Sequence, residues 1–382
     1  MLKMTYIRSL LLIIFCLSIN GVAAQVDSLC IKLDSLLRDP LFETTQVGLM
    51  VYDLDADSVV YQRDALQTLR PASTMKLLTA ITALDRLGAE YEFTTRLMKA
   101  DSCNYYLIGS MDPLIGMEEL NQIADSIKAQ GIDTIHGSLF ADRSMKDADL
   151  YGEGWCWDDD NPMLSPLVYN RKDGMMETLA EFLQVRGVFF TDGIKTGTCP
   201  SGATPVCEVS HKLIDVLVPM MKNSNNLYAE SVFYQLGLMR GRPSTAKKAT
   251  KAIEDVLRRA GREESIHRFA DGSGLSLYNY VSVDIEVAFL RYAFSDKDLY
   301  YKLYETLPIA AIDGTLKDRM NGTPAAGNVR AKTGTVSGVS SLAGYCTTSG
   351  GRHLAFSIIN QGVMKGSYAK ALQDRLCVEM CK

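Results

Sequence analysis

The chain has 382 residues, of which 47% are hydrophobic and 22% are charged, and its formal charge at pH 7 is −5. This composition is typical of a globular protein with two or three domains, and it argues against collagen-like, coiled-coil, intrinsically disordered and polytopic membrane chains. No run of Lys and Arg is longer than a pair, so the sequence also lacks the basic patch that binds nucleic acid.

The N-terminus, residues 1–24, has the pattern of a secretory signal peptide. Lys3 and Arg8 supply its positive charge, residues 10–19 form an apolar run, and a small-residue cleavage site ends at Ala24. The apolar run is short for a membrane-spanning helix, and an uncleaved N-terminal anchor is the alternative interpretation. Cleavage would remove two cations and no acid, which changes the formal charge from −5 to −7. We therefore expect an exported, periplasmic protein with no transmembrane span after cleavage.

Most cysteines lie beyond the signal peptide, where an exported chain can form disulfides. Cys199 and Cys207 flank the turn-rich segment PSGATPV and are predicted to form a bridge. Cys377 and Cys381 are four residues apart on a predicted helix, but the four histidines are scattered along the chain, so no metal site is predicted. The sequence indicates no cofactor.

The first predicted elements of the mature chain are a β-hairpin and a buried helix. Residues 46–52 and 58–62 are strand-like and are separated by the polar turn DLDAD. After Pro71, apolar residues recur at helical spacing as far as Gly88: Leu77, Ile81, Leu84 and Leu87. The helix is therefore predicted to begin at or near Ser73.

Residues 93–174 are predicted to form a small, separate α+β unit, with short strands over 104–110 and 137–142 around one helix. The chain then becomes helical and finally strand-like, with helices predicted over 177–186, 209–221, 227–239, 246–260 and 368–380, and strands over 329–336, 340–347 and 353–360. This order predicts one α/β domain, residues 25–92 and 175–382, that is interrupted by the 93–174 insert.

Three short motifs follow one another along the chain: Ser73-Thr-Met-Lys76, Ser224-Asn-Asn226 and Lys332-Thr-Gly334. Each pattern is short and also occurs elsewhere, at Ser244–Lys247, Ser367–Lys370, Ser18–Asn20, Ser102–Asn104 and Lys195–Gly197. The local context must therefore select among them.

The context favours Ser73 and Lys76 as a nucleophile and its base. The free N–H groups at the start of a buried helix stabilise an oxyanion, and residues three apart share a helix face, so the Lys76 amine reaches the Ser73 hydroxyl. A lysine in a dry site can be neutral and act as a base. Ser244–Lys247, in contrast, runs into further lysines, as a solvated helix start does. The alternative for Ser73 is a helix N-cap worth ~1 kcal/mol, a role that is compatible with catalysis.

The local context also distinguishes the two Lys-Thr-Gly motifs. Lys332 lies in an alternating, β-prone run, whereas Lys195 lies in a turn-dense loop. Gly334 has no side chain, so that a substrate can lie against the strand as an added β-strand. Ser224 and Asn226 are predicted in a turn between helices, where a helix cap is the alternative interpretation.

The three motifs in this order resemble those of the class C low-molecular-mass penicillin-binding proteins, which are D-alanyl-D-alanine carboxypeptidases and endopeptidases. The resemblance extends over nearly the whole mature chain, through RPASTMKLLTA (70–80), LIGSMDPLI (107–115), GWCWDD (154–159), MMKNSNNLYAE (220–230), DGSGLS (271–276), LPIAAIDGTL (307–316) and VRAKTGTVSGVSSLAGY (329–345). It implies an α/β (α+β) penicillin-binding and serine β-lactamase-like transpeptidase fold, an antiparallel sheet flanked by helices with a small α+β insert.

The resemblance implies a role for each matching residue. Ser73 would be the acylated nucleophile, Lys76 its base, and the N–H groups of Ser73 and Thr335 the oxyanion hole. The remaining motif residues would relay protons and bind the substrate backbone (Ser224 and Asn226) or hold its terminal carboxylate (Lys332 and Thr333).

Three positions depart from the family pattern. Asn225 stands where Asp is common, Leu277 stands where Arg often follows DGSGLS, and Ser337 is smaller than the long polar residue of some members. Recognition of the stem-peptide side chain is therefore expected to differ from that of other members, with contributions predicted from Ser337 and from Asp142 in the insert.

The resemblance implies a cofactor-free serine DD-peptidase. It would cleave D-Ala-D-Ala or D-Ala–diamino-acid cross-links in peptidoglycan stem peptides and be inhibited covalently by β-lactams. One alternative is a serine β-lactamase, for which the sequence offers no dedicated deacylating carboxylate. The other is a catalytically silent peptidoglycan-binding scaffold, against which the intact motifs argue.

Overall fold

The computed structural model describes residues 28–158, 161–263 and 265–382. The predicted signal peptide lies outside these ranges. Within them, every helix is too short or too polar to cross a membrane.

The described chain alternates helices and strands. The α-helices are α1 over 28–36, α2 Leu41–Thr44, α3 Met75–Arg86, α4 Met117–Lys128, α5 Met175–Val185, α6 Leu213–Lys222, α7 Asn226–Leu238, α8 Ala246–Arg259, α9 Val283–Ser295, α10 Lys297–Thr306 and α11 Gly366–Met380. The strands are β1 Gln46–Asp53, β2 Ser58–Arg63, β3 Glu92–Lys99, β4 Tyr105–Ile108, β5 Thr134–Ile135, β6 Leu139–Asp142, β7 Phe189–Phe190, β8 Ile194–Thr196, β9 Thr204–Lys212, β10 Arg330–Val336, β11 Val339–Thr347 and β12 His353–Gln361. Two 3-10 turns, Ala72–Thr74 and Gly314–Leu316, precede α3 and β10.

The main sheet is antiparallel, with strand order β10-β11-β12-β1-β2. Successive side chains of a strand point to opposite faces, and on β1 Met50 and Tyr52 enter one apolar core while Leu49 and Val51 enter another. The first core is built with α3 and α6 to α10, and the second with α1 and α11. The predicted antiparallel sheet flanked by helices is confirmed, as is the N-terminal hairpin.

The second sheet is mixed, with strand order β8-β6-β4-β3-β9, and α4 and α5 pack in its core. Its strands extend to Lys212, well past the predicted end of the insert at residue 174. We therefore propose residues 92–212 as the extent of the inserted unit. The helix predicted over 209–221 is corrected: it begins at Leu213, because residues 204–212 pair with β3 instead.

The predicted bridge between Cys199 and Cys207 is wrong, since both side chains are free thiols. The Cys199 N–H donates to Asp142 Oδ2 at 2.7 Å, which holds this residue beside β6 near one edge of the second sheet. Cys207 lies on β9 at the opposite edge. Sequence proximity therefore does not bring the two sulfur atoms together.

Candidate active site

Ser73 is presented by a strained turn at the start of α3. The 3-10 turn Ala72–Thr74 continues directly into α3, which confirms the predicted helix start. Ala72 has a φ of +51°, a left-handed conformation that costs a non-glycine residue of order 1 kcal/mol and that clusters at functional sites. Gly274 packs directly against this turn, because a Cβ at position 274 would lie 1.8 Å from the Ala72 carbonyl oxygen.

The Lys76 amine lies one helical turn beyond Ser73 and is completely buried. Its Nζ donates to Ser73 Oγ at 3.0 Å, to Asn226 Oδ1 at 2.7 Å and to the Ser273 carbonyl oxygen at 2.8 Å. Burial lowers the pKa of Lys76 to about 7, although the nearby carboxylates of Asp271 and Glu230 oppose this shift.

These three contacts suit a lysine that exchanges a proton with Ser73. A charged ammonium has three hydrogens, one for each partner, whereas a neutral amine has two hydrogens and one lone pair. Asn226 Oδ1 and the Ser273 carbonyl can only accept, so the neutral amine directs its lone pair at the Ser73 hydroxyl. This geometry fits a general base.

A second buried pair faces the first. Lys332 Nζ on β10 donates to Ser224 Oγ at 2.8 Å and to the Thr333 carbonyl oxygen at 2.7 Å. Burial lowers the pKa of Lys332 well below its usual range, and the like charge of Lys76 adds to the effect. Ser224 has a φ of +58° in the turn between α6 and α7, and Asn225 caps α7 by accepting from the Tyr228 N–H at 3.4 Å. The motif is thus both a helix cap and part of the site.

A pocket of about 330 Å³ opens in front of these residues. Four of the sequence-predicted residues line it, namely Ser73, Ser224, Thr333 and Thr335. The others also lining it were not predicted: Thr315, Arg319 and Lys370. Thr315 accepts from Thr333 Oγ1 at 2.8 Å, and its only sequence signal was its place in the segment LPIAAIDGTL.

Two predicted substrate-binding residues are not among those that line this pocket. Asp142 is only 2% exposed at the end of β6, and its carboxylate accepts from the backbone N–H groups of Ser144 and Cys199 at 2.8 and 2.7 Å. The structure therefore does not bring Asp142 to the pocket, because both of its oxygens hold turns of the second sheet. Ser337 is exposed at the tip of the β10–β11 hairpin.

A buried carboxyl group that the sequence analysis missed fixes the loop that contacts Lys76. Glu230 on α7 accepts from the N–H groups of Ser273 at 2.8 Å and Gly272 at 3.3 Å. Burial raises the pKa of Glu230 to about 8, and the neighbouring Asp271 contributes to the rise. The available signal was that Glu230 is the one charged residue of α7.

Gly334 is predicted to be essential because it lies against the turn that carries Ser73. A Cβ at this position would lie 2.0 Å from Ser341 Oγ, which itself donates to the Pro71 carbonyl oxygen, and 2.8 and 2.9 Å from that oxygen and from the Ser73 nitrogen. The backbone of β10 therefore packs directly against the turn. We expect Gly334→Ala to displace Ser73 and to slow acylation by penicillin about 100-fold, since an error of 1 Å in position has this order of effect. Stopped-flow or gel-based acylation rates measure the change.

The control is Gly366→Ala, because Gly366 has open space around its missing Cβ and no positive φ. A Gly334→Ala protein that is acylated at the wild-type rate would refute the contact between strand and turn.

Behind the nucleophile, Glu286 on α9 is buried and contacts two hydroxyls. Thr74 Oγ1 donates to Glu286 Oε1 at 2.5 Å, and Ser357 Oγ donates to Glu286 Oε2 at 2.6 Å. The Pro71 carbonyl oxygen accepts from Ser341 Oγ at 2.5 Å, so the single hydrogen of the Thr74 hydroxyl can be directed at Glu286. Burial raises the pKa of Glu286 to about 7, although the two hydrogen bonds oppose this shift, and we therefore assign a proton to this carboxyl group below pH 7.

Glu286 is predicted to make stability depend on pH. Its folded pKa of about 7 exceeds the ordinary 4.5, so the folded state binds the extra proton between these values. The resulting stabilisation, about 3 kcal/mol, is complete below pH ~4.5 and is lost as the pH rises through 7. Urea unfolding of wild type and Glu286→Gln from pH 4.5 to 8 should show the wild type losing stability relative to the variant. Parallel curves for the two proteins would contradict the assignment.

Among the described residues, no group of three or more His, Cys, Asp or Glu side chains is placed to hold a metal ion. The reacting groups in this geometry are a hydroxyl and two buried amines.

The whole chain is similar to proteins of one known family. The family model of the D-Ala-D-Ala carboxypeptidase 3 (S13) family matches residues 29–168 and 163–379. The chain is 29% identical to the D-alanyl-D-alanine carboxypeptidase of Actinomadura sp. (strain R39), over 95% of this chain and 86% of that protein. It is 26% identical to the D-alanyl-D-alanine carboxypeptidase DacB of Haemophilus influenzae, over 86% and 88% of the two chains.

The fold also matches a solved structure. The crystal structure of penicillin binding protein 4 (dacB) from Haemophilus influenzae superimposes with a TM-score of 0.83 at 22% identity, covering 90% of this chain and 97% of the other. A structure of that protein in complex with a β-lactam matches with a TM-score of 0.77 at 23% identity, covering 90% and 97% of the two chains. The family model spans most of the sequence, and the chain therefore belongs to the D-Ala-D-Ala carboxypeptidase 3 (S13) family and is a serine-type D-Ala-D-Ala carboxypeptidase.

Proposed function

We propose that this protein is an exported DD-peptidase that uses Ser73 to cleave D-Ala-D-Ala, and D-Ala–diamino-acid cross-links, in peptidoglycan stem peptides. The observation that carries the proposal is the dry contact of 3.0 Å between Lys76 Nζ and Ser73 Oγ, in which the lysine has a pKa of about 7. At neutral pH a large fraction of such a lysine is already a neutral base.

In the proposed reaction, Ser73 Oγ attacks the carbonyl carbon of the penultimate D-Ala while Lys76 takes the hydroxyl proton. The Ser73 ester bond forms and the peptide C–N bond breaks. The proton returns to the departing amine along the Ser224–Lys332 contact. Water then attacks the ester, releasing the shortened peptide and restoring the Ser73 hydroxyl.

The backbone around Ser73 supports an oxyanion hole of Ser73 and Thr335 N–H groups. The position of a Cβ on Gly334 lies 2.9 Å from the Ser73 nitrogen, so the start of α3 adjoins β10 one residue before Thr335. Donors fixed in this way stabilise a developing oxyanion without reorganisation. The adjacent Lys332 and Thr333 would hold the terminal carboxylate of the substrate.

β-Lactams are expected to acylate the same serine. They present a strained amide to the nucleophile, and the ring opening leaves an ester on Ser73 that water removes slowly. The β-lactam complex of the Haemophilus influenzae protein supports this expectation.

Export is supported by the sequence pattern of residues 1–24. The mature charge of −7 gives no general attraction to anionic wall polymers, because like charges repel. Substrate capture would therefore depend on local groups in the pocket.

The test is to incubate the purified protein with muropeptide monomers that end in D-Ala-D-Ala and with cross-linked dimers, and to identify the products by mass. Loss of one D-alanine from the monomer, blocked by prior incubation with penicillin, is the expected result. No product from either substrate would refute the proposal. Rapid steady-state turnover of penicillin would indicate a β-lactamase instead.

A further inference from the structure

The pocket in front of Ser73 extends past the motif residues to two cationic side chains. Arg319 follows the Gly314–Leu316 turn, and Lys370 lies in the second turn of α11. Both line the same cavity of about 330 Å³ as Ser73. In the reaction proposed above, neither side chain has a role.

A chain of contacts connects these cations to the residue that is proposed to hold the terminal carboxylate. Thr333 on β10 donates to Thr315, and Thr315 belongs to the turn that leads to Arg319. In the proposed function, Thr333 holds the terminal carboxylate, which belongs to the leaving group. Arg319 in turn donates to the Lys370 carbonyl oxygen, so these contacts favour the leaving-group side of the pocket for both cations.

The two cations differ in their partners. Arg319 is 12% exposed and tied to α11: its Nε lies 2.9 Å from Asp374 Oδ1, and its Nη2 donates to the Lys370 carbonyl oxygen at 3.2 Å and to Gln373 Oε1 at 3.3 Å. Asp374 thus neutralises the charge of Arg319. The contacts of Arg319 with α11 position that helix.

Lys370 is half-buried, and no group in the described part of the chain forms a hydrogen bond or an ion pair with its ammonium. Lys370 therefore contributes an uncompensated positive charge to the pocket. In a chain with a net negative charge, this places a local attraction for anions at the active site.

The two possible leaving groups differ in the number of carboxylates that could bind the Lys370 ammonium. D-Alanine carries one carboxylate, which Lys332 and Thr333 would hold. It therefore has no second carboxylate that could bind Lys370. A cross-linked substrate releases the amine of a second stem peptide, which bears additional carboxylates. We propose that Lys370 binds such a second carboxylate, so that the pocket favours cross-linked dimers over monomers as substrates.

This inference rests on the proposed DD-peptidase function, and the experiment measures a ratio within it. Kinetics of wild type and Lys370→Met are compared on a cross-linked muropeptide dimer and on a monomer ending in D-Ala-D-Ala. We expect the dimer-to-monomer ratio of kcat/KM to fall about tenfold in Lys370→Met, and further in Lys370→Glu, since a charge-assisted contact has this order of strength. Raising the salt concentration should lower the wild-type ratio but not that of Lys370→Met.

The matched control is Lys297→Met, because Lys297 is an exposed lysine on α10 outside the pocket lining. Thermal unfolding of each variant confirms that α11 remains folded. An unchanged ratio in Lys370→Met, or a wild type that releases D-alanine without splitting the dimer, would overturn the inference while leaving the carboxypeptidase function intact. A wild type inactive on both substrates would overturn the proposed function together with the inference.

Discussion

Replacing Ser73 with alanine is expected to abolish peptidase activity and covalent labelling by penicillin together. The substitution removes the oxygen that forms the ester and leaves the neighbouring backbone N–H groups in place. Loss of a nucleophile that acts together with its base reduces turnover by about 10⁴- to 10⁶-fold. Release of D-alanine from a muropeptide monomer measures the first effect, and mass spectrometry of the protein after incubation with penicillin measures the second.

Ser367→Ala is the matched control, since Ser367 begins another Ser-x-x-Lys pattern but is exposed at the start of α11. This variant should retain both activities. In the wild type, peptide mapping should locate the penicillin adduct on Ser73. An adduct on any other residue, or labelling that survives in Ser73→Ala, would disprove the assignment of the nucleophile.

Replacing Lys76 with methionine is expected to slow acylation by about 10²- to 10⁴-fold, the usual contribution of a general base. Methionine fills a similar volume without a base or a charge. Because burial sets the pKa of Lys76 at about 7, wild-type kcat/KM should rise about tenfold per pH unit below 7 and level off above it. The rise has this sign because the deprotonated amine is the active form.

Lys76→Arg provides the more demanding comparison. Arginine keeps the positive charge but does not lose its proton in the accessible pH range. The variant should therefore be as slow as Lys76→Met at every pH, and the step at pH 7 should be missing. A Lys76→Arg protein with the wild-type pH profile would show that another group takes the proton. Lys247→Met serves as the control, since Lys247 is an exposed lysine on α8.

The pH effects of Lys76 and Glu286 have different readouts. Deprotonation of Lys76 near pH 7 is expected to increase the acylation rate. The free energy of unfolding is instead expected to fall between pH ~4.5 and 7, where the unfolded state has lost the Glu286 proton and the folded state still holds it. Measuring rates on fully folded protein, with stability followed separately in Glu286→Gln, keeps the two apart.

Much of the secondary structure could be predicted because its signals are local. The polar turn between β1 and β2, the apolar spacing of α3 and the alternation of β10 are each contained within about a dozen consecutive residues. β9 was missed for the opposite reason: residues 204–212 become a strand by pairing with β3, which lies more than 100 positions earlier. A disulfide between Cys199 and Cys207 was predicted from their closeness in sequence, and the sheet order separates them.

The sequence by itself determined the chemistry of this protein: the three motifs, their order and the residues around them identify a serine, two lysines and the family. The sequence context already favoured Lys332 over Lys195, but only the tertiary structure showed the contacts that join the motifs, since Lys332 is buried and donates to Ser224 while Lys195 lies exposed on β8 of the second sheet. It also decided that Asp142 lies apart from the pocket and that Lys370 lines it. The physical reason is that a pKa, a cavity and an uncompensated charge arise from contacts between residues 100 to 300 positions apart, which short patterns do not encode.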